Sequence, residues 1–158
     1  MSAAATIHDE DAPSRRPVPG RLIAFGLSLL GAALAAYLTY EHYTGNRTLA
    51  CAGHGAIDCA KVTTSRESVI VGVPVALWGL LFFAGMLVLT QPRAWRRPEL
   101  HRVRLAAAGL GFAFVLYLVY TELVTLHAIC LWCTGVHLVT LLLLVTVLLA
   151  DPWEASPP

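Results

Sequence analysis

Four cysteines hold the clearest chemical pattern in this sequence: Cys51 and Cys59, eight residues apart, and Cys130-Leu131-Trp132-Cys133, a CxxC. Thiols exchange disulfides, bind metals or staple a fold. For exchange, the thiolate is the nucleophile. Positions three apart share a helix face, so the CxxC sulfurs can pair or separate with little movement. The apolar run that follows places Cys130 at the start of a predicted helix, where the positive end of the dipole stabilises a thiolate. Cys51 and Cys59 flank Gly53 and Gly55 in a flexible stretch, which predicts a pair that swings between an outside partner and the CxxC. Two pairs in series make an electron relay. Two other readings stay open: two purely structural disulfides, or a four-cysteine zinc site with His54 as a further ligand. The eight-residue separation fits zinc poorly, and no His follows Cys133 as c-type haem attachment requires.

The elements that must position these thiols follow from composition. Of 158 residues, 57% are hydrophobic and 13% charged, against about a quarter charged in soluble domains. Mean hydropathy is +0.66. Lipid is therefore the expected solvent. A net charge of +1 without a long basic run gives no nucleic-acid partner. Leu22 to Tyr40 and Val69 to Thr90 are uncharged, and from Leu105 to Ala150 the only charge is Glu122. A spanning helix takes roughly 20 apolar residues, so the last stretch folds into two, broken near Leu123–Ile129. The sequence thus predicts an all-α integral membrane four-helix bundle, with helices at about 21–41, 73–90, 104–123 and 129–149. A long extracytoplasmic loop of 42–72 joins the first two.

Orientation follows from Lys and Arg. Arg15, Arg16 and Arg21 precede the first helix, and Arg93, Arg96, Arg97, Arg102 and Arg104 surround the second connection. The positive-inside rule puts both in the cytoplasm, and with them both termini. All four cysteines then face the extracytoplasmic side, where disulfides persist. Residues 1–20 read as a disordered cytoplasmic tail, 21–149 as the membrane domain and 150–158 as a second tail. Ala33-Leu34-Ala35 resembles a signal-peptide cleavage site. However, the apolar region runs past it and exceeds the usual 7–15 residues, so the segment is expected to be retained. Gly26, Gly31, Gly109 and Gly111 are expected to allow close helix packing.

The ordered set of motifs is more specific than the CxxC alone. Cys51…Cys59 is followed six residues later by Ser65, then by Gly72-Val73-Pro74-Val75-Ala76-Leu77-Trp78-Gly79, then by Cys130-x-x-Cys133. From about residue 20 to 149 this resembles the vitamin K epoxide reductase family, in particular its bacterial members. The other four-helix membrane disulfide-oxidase family carries its CxxC in the first outer loop, the reverse order. The resemblance implies an enzyme of the inner (cytoplasmic) membrane that passes electrons from a thioredoxin-fold partner to a quinone, menaquinone or ubiquinone, and so supports disulfide formation in exported proteins. It implies that Cys51 exchanges with the partner, that Cys59 forms the mixed disulfide with Cys130, and that Cys133 donates to the quinone. Ser65 matches a hydroxyl near the active site. The chain has no fused thioredoxin-like domain, so the partner is expected to be a separate, DsbA-like protein. The vertebrate enzymes carry Tyr seven residues after the first CxxC cysteine. Here that residue is His137, which favours quinone over epoxide as the acceptor.

A quinone needs a flat apolar slot. Trp78, Phe82, Phe83, Tyr117 and Tyr120 are candidate walls, with packing and interfacial anchoring as the plain alternative. His127 and His137 flank the CxxC, and His137, one turn past Cys133, could hand protons to a reduced quinone. Glu122 is expected to reach water at the outer end of the third helix. Asp58 is either a solvated loop residue or a charge raising the Cys59 pKa, and Trp132 an interfacial anchor. No metal is expected. The competing functions are a transporter of electrons between membrane faces, which would need cytoplasmic cysteines, and a non-catalytic membrane scaffold with structural disulfides.

Overall fold

The computed structural model of the chain describes residues 20–46, 48–51 and 55–154, with side chains to residue 150. Helix α1 (Gly20–Thr44) leads to a short α2 (Cys59–Thr63), a 3₁₀ turn (Arg66–Ser68) and a small hairpin of β1 (Val69–Ile70) and β2 (Val73–Pro74). Then come α3 (Val75–Thr90), α4 (Pro92–Trp95), α5 (Glu99–Tyr120), a π turn (Thr121–Leu126) and α6 (Leu131–Glu154). Of the expected tails, residues 1–19 and 155–158 lie outside the described residues, as do Arg47, Gly53 and His54, while 150–154 continue α6.

This is an all-α membrane protein with, among the described residues, one two-stranded ribbon. Gly20–Thr44, Glu99–Leu126 and Leu131–Ala150 are long and apolar enough to cross a membrane. The 16 residues of α3 rise only about 24 Å, short of a hydrocarbon core of about 30 Å. Large apolar side chains such as Leu22, Leu29, Leu110 and Leu149 point outward, while Ser28, Thr90, Arg104, Glu122 and His137 are buried. That inversion suits lipid as solvent. The hydroxyls of Ser28, Thr39, Thr90, Thr140 and Thr146 each donate to the carbonyl four residues earlier, so none of these five donors is left unpaired toward hydrocarbon.

Helix α1 packs along both α3 and α6, and α6 along α5. Phe83, Met86, Leu143 and Val147 form the centre of the core. Of the four packing glycines, two are needed. A Cβ on Gly31 would collide with the Phe83 ring and one on Gly111 with the Phe82 ring, whereas Gly26 and Gly109 face open space.

Several boundaries moved for physical reasons. Helix α5 starts five residues before the expected 104, because Pro98 caps it and Glu99 suits the positive end of the dipole. Arg104, read as part of a cytoplasmic surround, is buried. Its guanidinium lies 4.4 Å from the Trp95 ring centroid and donates to the Ala94 carbonyl of α4 at 3.2 Å. Pro74 lies just before α3 rather than inside it and pairs with Val69 in the hairpin. The hairpin turn uses positive φ at Val71 (54°) and Gly72 (76°), the pattern of a type I′ turn.

Beyond α1 the chain reverses at Gly45 (φ 75°) and Asn46 (φ 55°). Glu41 holds this reversal. Its buried carboxylate accepts from the Thr48 amide at 3.2 Å and from the Thr48 hydroxyl, and its carbonyl accepts from the Asn46 amide at 2.8 Å.

Candidate active site

Cys51 and Cys59 are joined in a disulfide with their Cα atoms 6.0 Å apart, and Cys130 and Cys133 are free thiols. All four pack into one cluster around Val62 and Ala128, with Trp132 at its edge. Cys59 and Cys130 are both wholly buried in it.

The loop is fastened over the CxxC. Ile57 and Ile129 form a parallel bridge, with the Asp58 amide donating to the Ile129 carbonyl at 3.1 Å and the Ile129 amide to the Ala56 carbonyl at 2.8 Å. On the other side of the loop, the Trp132 indole N–H donates to the Ala50 carbonyl at 2.9 Å. The Tyr37 ring lies 4.8 Å from the Trp132 ring, and its hydroxyl donates to the Thr48 carbonyl and accepts from the Ala50 amide. Trp132, expected to anchor at the interface, therefore ties the segment before Cys51 to the CxxC. The freely swinging pair expected from Gly53 and Gly55 is instead pinned on both sides. Asp58 caps α2, its carboxylate accepting from the Lys61 amide at 2.9 Å, which explains why a helix begins at Cys59.

The turn that presents the CxxC has neither Gly nor Pro. The π turn ends at His127 in the left-handed region (φ 50°), and the His127 and Ala128 amides both donate to the Glu122 carbonyl. The Glu122 side chain accepts from the Cys130 amide at 3.4 Å. Glu122 is only 6% exposed, so it does not reach water as expected. One residue thus sets the turn with its main chain and meets the CxxC with its carboxylate.

Cys130 lies just before α6. Hydrogen bonds from the Cys133 thiol, and also from the Cys133 and Trp132 amides, hold the Cys130 thiol below its ordinary pKa. Burial and the Glu122 carboxylate oppose the shift. The Cys133 amide lies 3.3 Å from the Cys130 sulfur. A lowered pKa keeps the thiolate present toward neutral pH, and it is lost as pH falls through that pKa. We therefore expect thiolate ultraviolet absorbance to titrate below the ordinary thiol value of about 8.5. In Cys133→Ala, which removes the thiol donor, the midpoint should move up.

Beneath the cysteines lies a cavity of about 410 Å³ between α3, α5 and α6. Trp78, Phe82, Phe83, Ser65, Cys133 and His137 all line it. Cys130 does not, so the CxxC divides: Cys130 faces the loop disulfide and Cys133 faces the cavity. The Ser65 hydroxyl donates to the Val62 carbonyl at 2.8 Å, leaving oxygen lone pairs to accept. His137 is 9% exposed, and among the described residues its ring has no hydrogen-bond partner. His127 is exposed and off the wall.

Tyr117 and Tyr120 are not on the wall. Tyr117 is 51% exposed and stacks on Phe114, which lines the cavity. Counting back from Glu122 in helical steps gives Leu118, Val115, Phe114 and Gly111, the inward stripe of α5. The lone charge of the long apolar stretch was thus the available phase marker. His42 also lines the cavity, with Nδ1 3.2 Å from the Thr63 carbonyl, and carried no sequence signal. Among the described residues no three His, Cys, Asp or Glu side chains converge as a metal-ligand set.

The family model described as "Vitamin K epoxide reductase family" matches residues 22–148, from the first turn of α1 nearly to the end of α6.

Proposed function

Since the chain belongs to the vitamin K epoxide reductase family, we propose that it is a quinone-linked thiol oxidoreductase that reoxidises a separate thioredoxin-fold, DsbA-like partner. The observation that carries this reading is the division of the CxxC: one thiol packs on the loop disulfide and the other lines an apolar cavity. Electrons enter when the partner's dithiol reduces the Cys51–Cys59 disulfide through Cys51. Cys59 then attacks the oxidised CxxC at Cys130, expelling Cys133 as a thiolate. A second attack, by Cys51 on Cys59, restores the loop disulfide and leaves the CxxC reduced. A reduced CxxC beneath an oxidised loop pair, the pairing seen here, is the state awaiting the final oxidant.

The cavity fits a quinone ring. Aromatic walls at Trp78, Phe82 and Phe114 suit a flat apolar group, and His137, without a hydrogen-bond partner among the described residues, suits a carbonyl oxygen. Menaquinone and ubiquinone both meet this description. When bound, the quinone supplies a sink for two electrons and two protons. The chain's residues would hold it: Trp78 and Phe82 would flank the ring, His137 would hydrogen-bond a carbonyl, and Ser65 would accept from a hydroxyl of the reduced quinol. Tyr117 stands behind Phe114 as support.

The domain is read as a four-helix bundle of residues 21–149 in the inner membrane, with tails at 1–20 and 150–158 in the cytoplasm. Helix α3 makes the second crossing despite its length, which local thinning of the bilayer accommodates. The cysteines and the 42–72 loop then face the extracytoplasmic side.

The test uses purified full-length protein in lipid with a reduced thioredoxin-fold protein and a soluble ubiquinone or menaquinone analogue. Quinone absorbance should fall in step with oxidation of the partner's thiols. A scaffold with structural disulfides would leave both unchanged. Labelling of any of the four cysteines by a membrane-impermeant reagent from the cytoplasmic side alone would defeat the proposed topology.

A further inference from the structure

Glu122 has no part in the relay as written, yet it is the acid built into the site. It is buried, lines the cavity wall with Cys133 and His137, and accepts from the Cys130 amide at 3.4 Å. A carboxylate so placed in an apolar site is kept at a price in stability unless it has a task. The relay leaves one undone. The Cys130 sulfur, which the Cys133 amide approaches at 3.3 Å, is the better placed of the two for the thiolate, so a proton left on the reduced pair sits on Cys133 at the cavity side. Cys133 must lose that proton before its sulfur can act as a nucleophile toward the cavity.

Resting on the quinone-linked reading above, we infer that Glu122 is a catalytic residue that takes the Cys133 thiol proton and holds it at the cavity wall for the reduced acceptor. The step balances. The Cys133 S–H bond breaks, and its proton moves to the Glu122 carboxylate. The Cys130–Cys133 disulfide forms, and two electrons leave the sulfurs for the quinone. The proton on Glu122 follows them. Since Cys130 begins as a thiolate, the second proton comes from water at the outer face. Glu122 then returns to carboxylate, ready for the next pair of electrons.

The plain alternative is that Glu122 only holds the turn. Glu122→Gln separates the two, because an amide oxygen still accepts from the Cys130 amide but takes no proton at neutral pH. Full-length protein in lipid, without quinone, is oxidised with diamide, which accepts two electrons and two protons, and infrared difference spectra are followed in time during the oxidation. A carboxyl C=O band should rise and decay in the native protein and be absent in Glu122→Gln; no transient band in the native protein would overturn the assignment. With a quinone analogue, CxxC oxidation should slow by about 100-fold in Glu122→Gln. The Cys59–Cys130 disulfide trapped in a Cys133→Ser background should form at native yield. A carboxyl band persisting in Glu122→Gln, or oxidation at the native rate, would overturn the assignment. Loss of the trapped disulfide in Glu122→Gln would do so too, by assigning Glu122 to the turn alone. If the native protein shows the band with diamide but no oxidation by quinone, the quinone reading fails while the proton transfer stands.

Discussion

Cys133→Ser should lose quinone-dependent turnover by a factor of about 10⁴ or more, the scale seen when a nucleophile that works as part of a unit is removed. It should also accumulate a Cys59–Cys130 disulfide. Cys59 and Cys130 are buried in the same cluster, which sets the two residues side by side for exchange. In the variant, attack by the Cys130 thiolate on the Cys59 sulfur opens the Cys51–Cys59 bond and frees Cys51. In the native chain Cys133 would resolve that bond by attacking Cys130 and releasing Cys59. A serine hydroxyl cannot. Non-reducing peptide mapping should therefore find Cys59 linked to Cys130, with Cys51 open to alkylation. Cys130→Ser should be as inactive but give no such link, because Cys133 faces the cavity instead of the loop. Full turnover in Cys133→Ser, with the Cys51–Cys59 pair intact, would remove the relay.

The contrast between those two variants was not legible in the sequence, although the cysteines were. Helix lengths come from local sums of hydrophobicity, so 21–41 and 129–149 anticipated Gly20–Thr44 and Leu131–Glu154 closely. Which way a side chain faces depends on helix phase, and phase needs a reference point. Phe114 rather than Tyr117 lines the cavity because the inward stripe of α5 is in register with Glu122. Aromatic character alone could not choose between residues three apart. The break before the CxxC was placed only approximately, since its devices, a π turn and His127 in the left-handed region, lack the Gly or Pro that mark most turns. Glu41 and Glu122 were hidden for a further reason. Carboxylates at the ends of apolar runs ordinarily mark where a helix meets water. Here both are turned inward to satisfy main-chain amides, Thr48 and Cys130 respectively. The fastening of the loop by Trp132 to Ala50 spans 82 positions, a contact that no local pattern announces.

His137→Leu should reduce kcat/KM for the quinone analogue by about 10- to 100-fold, the range for removing one hydrogen bond of about 1.4–3 kcal/mol from a buried site. The reasoning starts from the wall. Its apolar side chains supply affinity without orientation, since an aromatic slot accepts a ring in several rotations. The His137 imidazole projects from α6 one turn beyond Cys133 and lacks a competing protein partner among the described residues, so it can fix which carbonyl edge lies toward the thiol. Leucine keeps most of the volume and removes the donor. The stability of the protein should therefore change little, and the Cys59–Cys130 disulfide trapped in a Cys133→Ser background should form normally. His137→Tyr, which returns a hydroxyl donor and matches the vertebrate members of the family, should recover part of the loss. The pattern separates two ideas about the cavity. If His137→Leu lowered trapping and turnover together, His137 would serve the packing of α6. If it left quinone kinetics unchanged, His137 would have no part in orienting the ring.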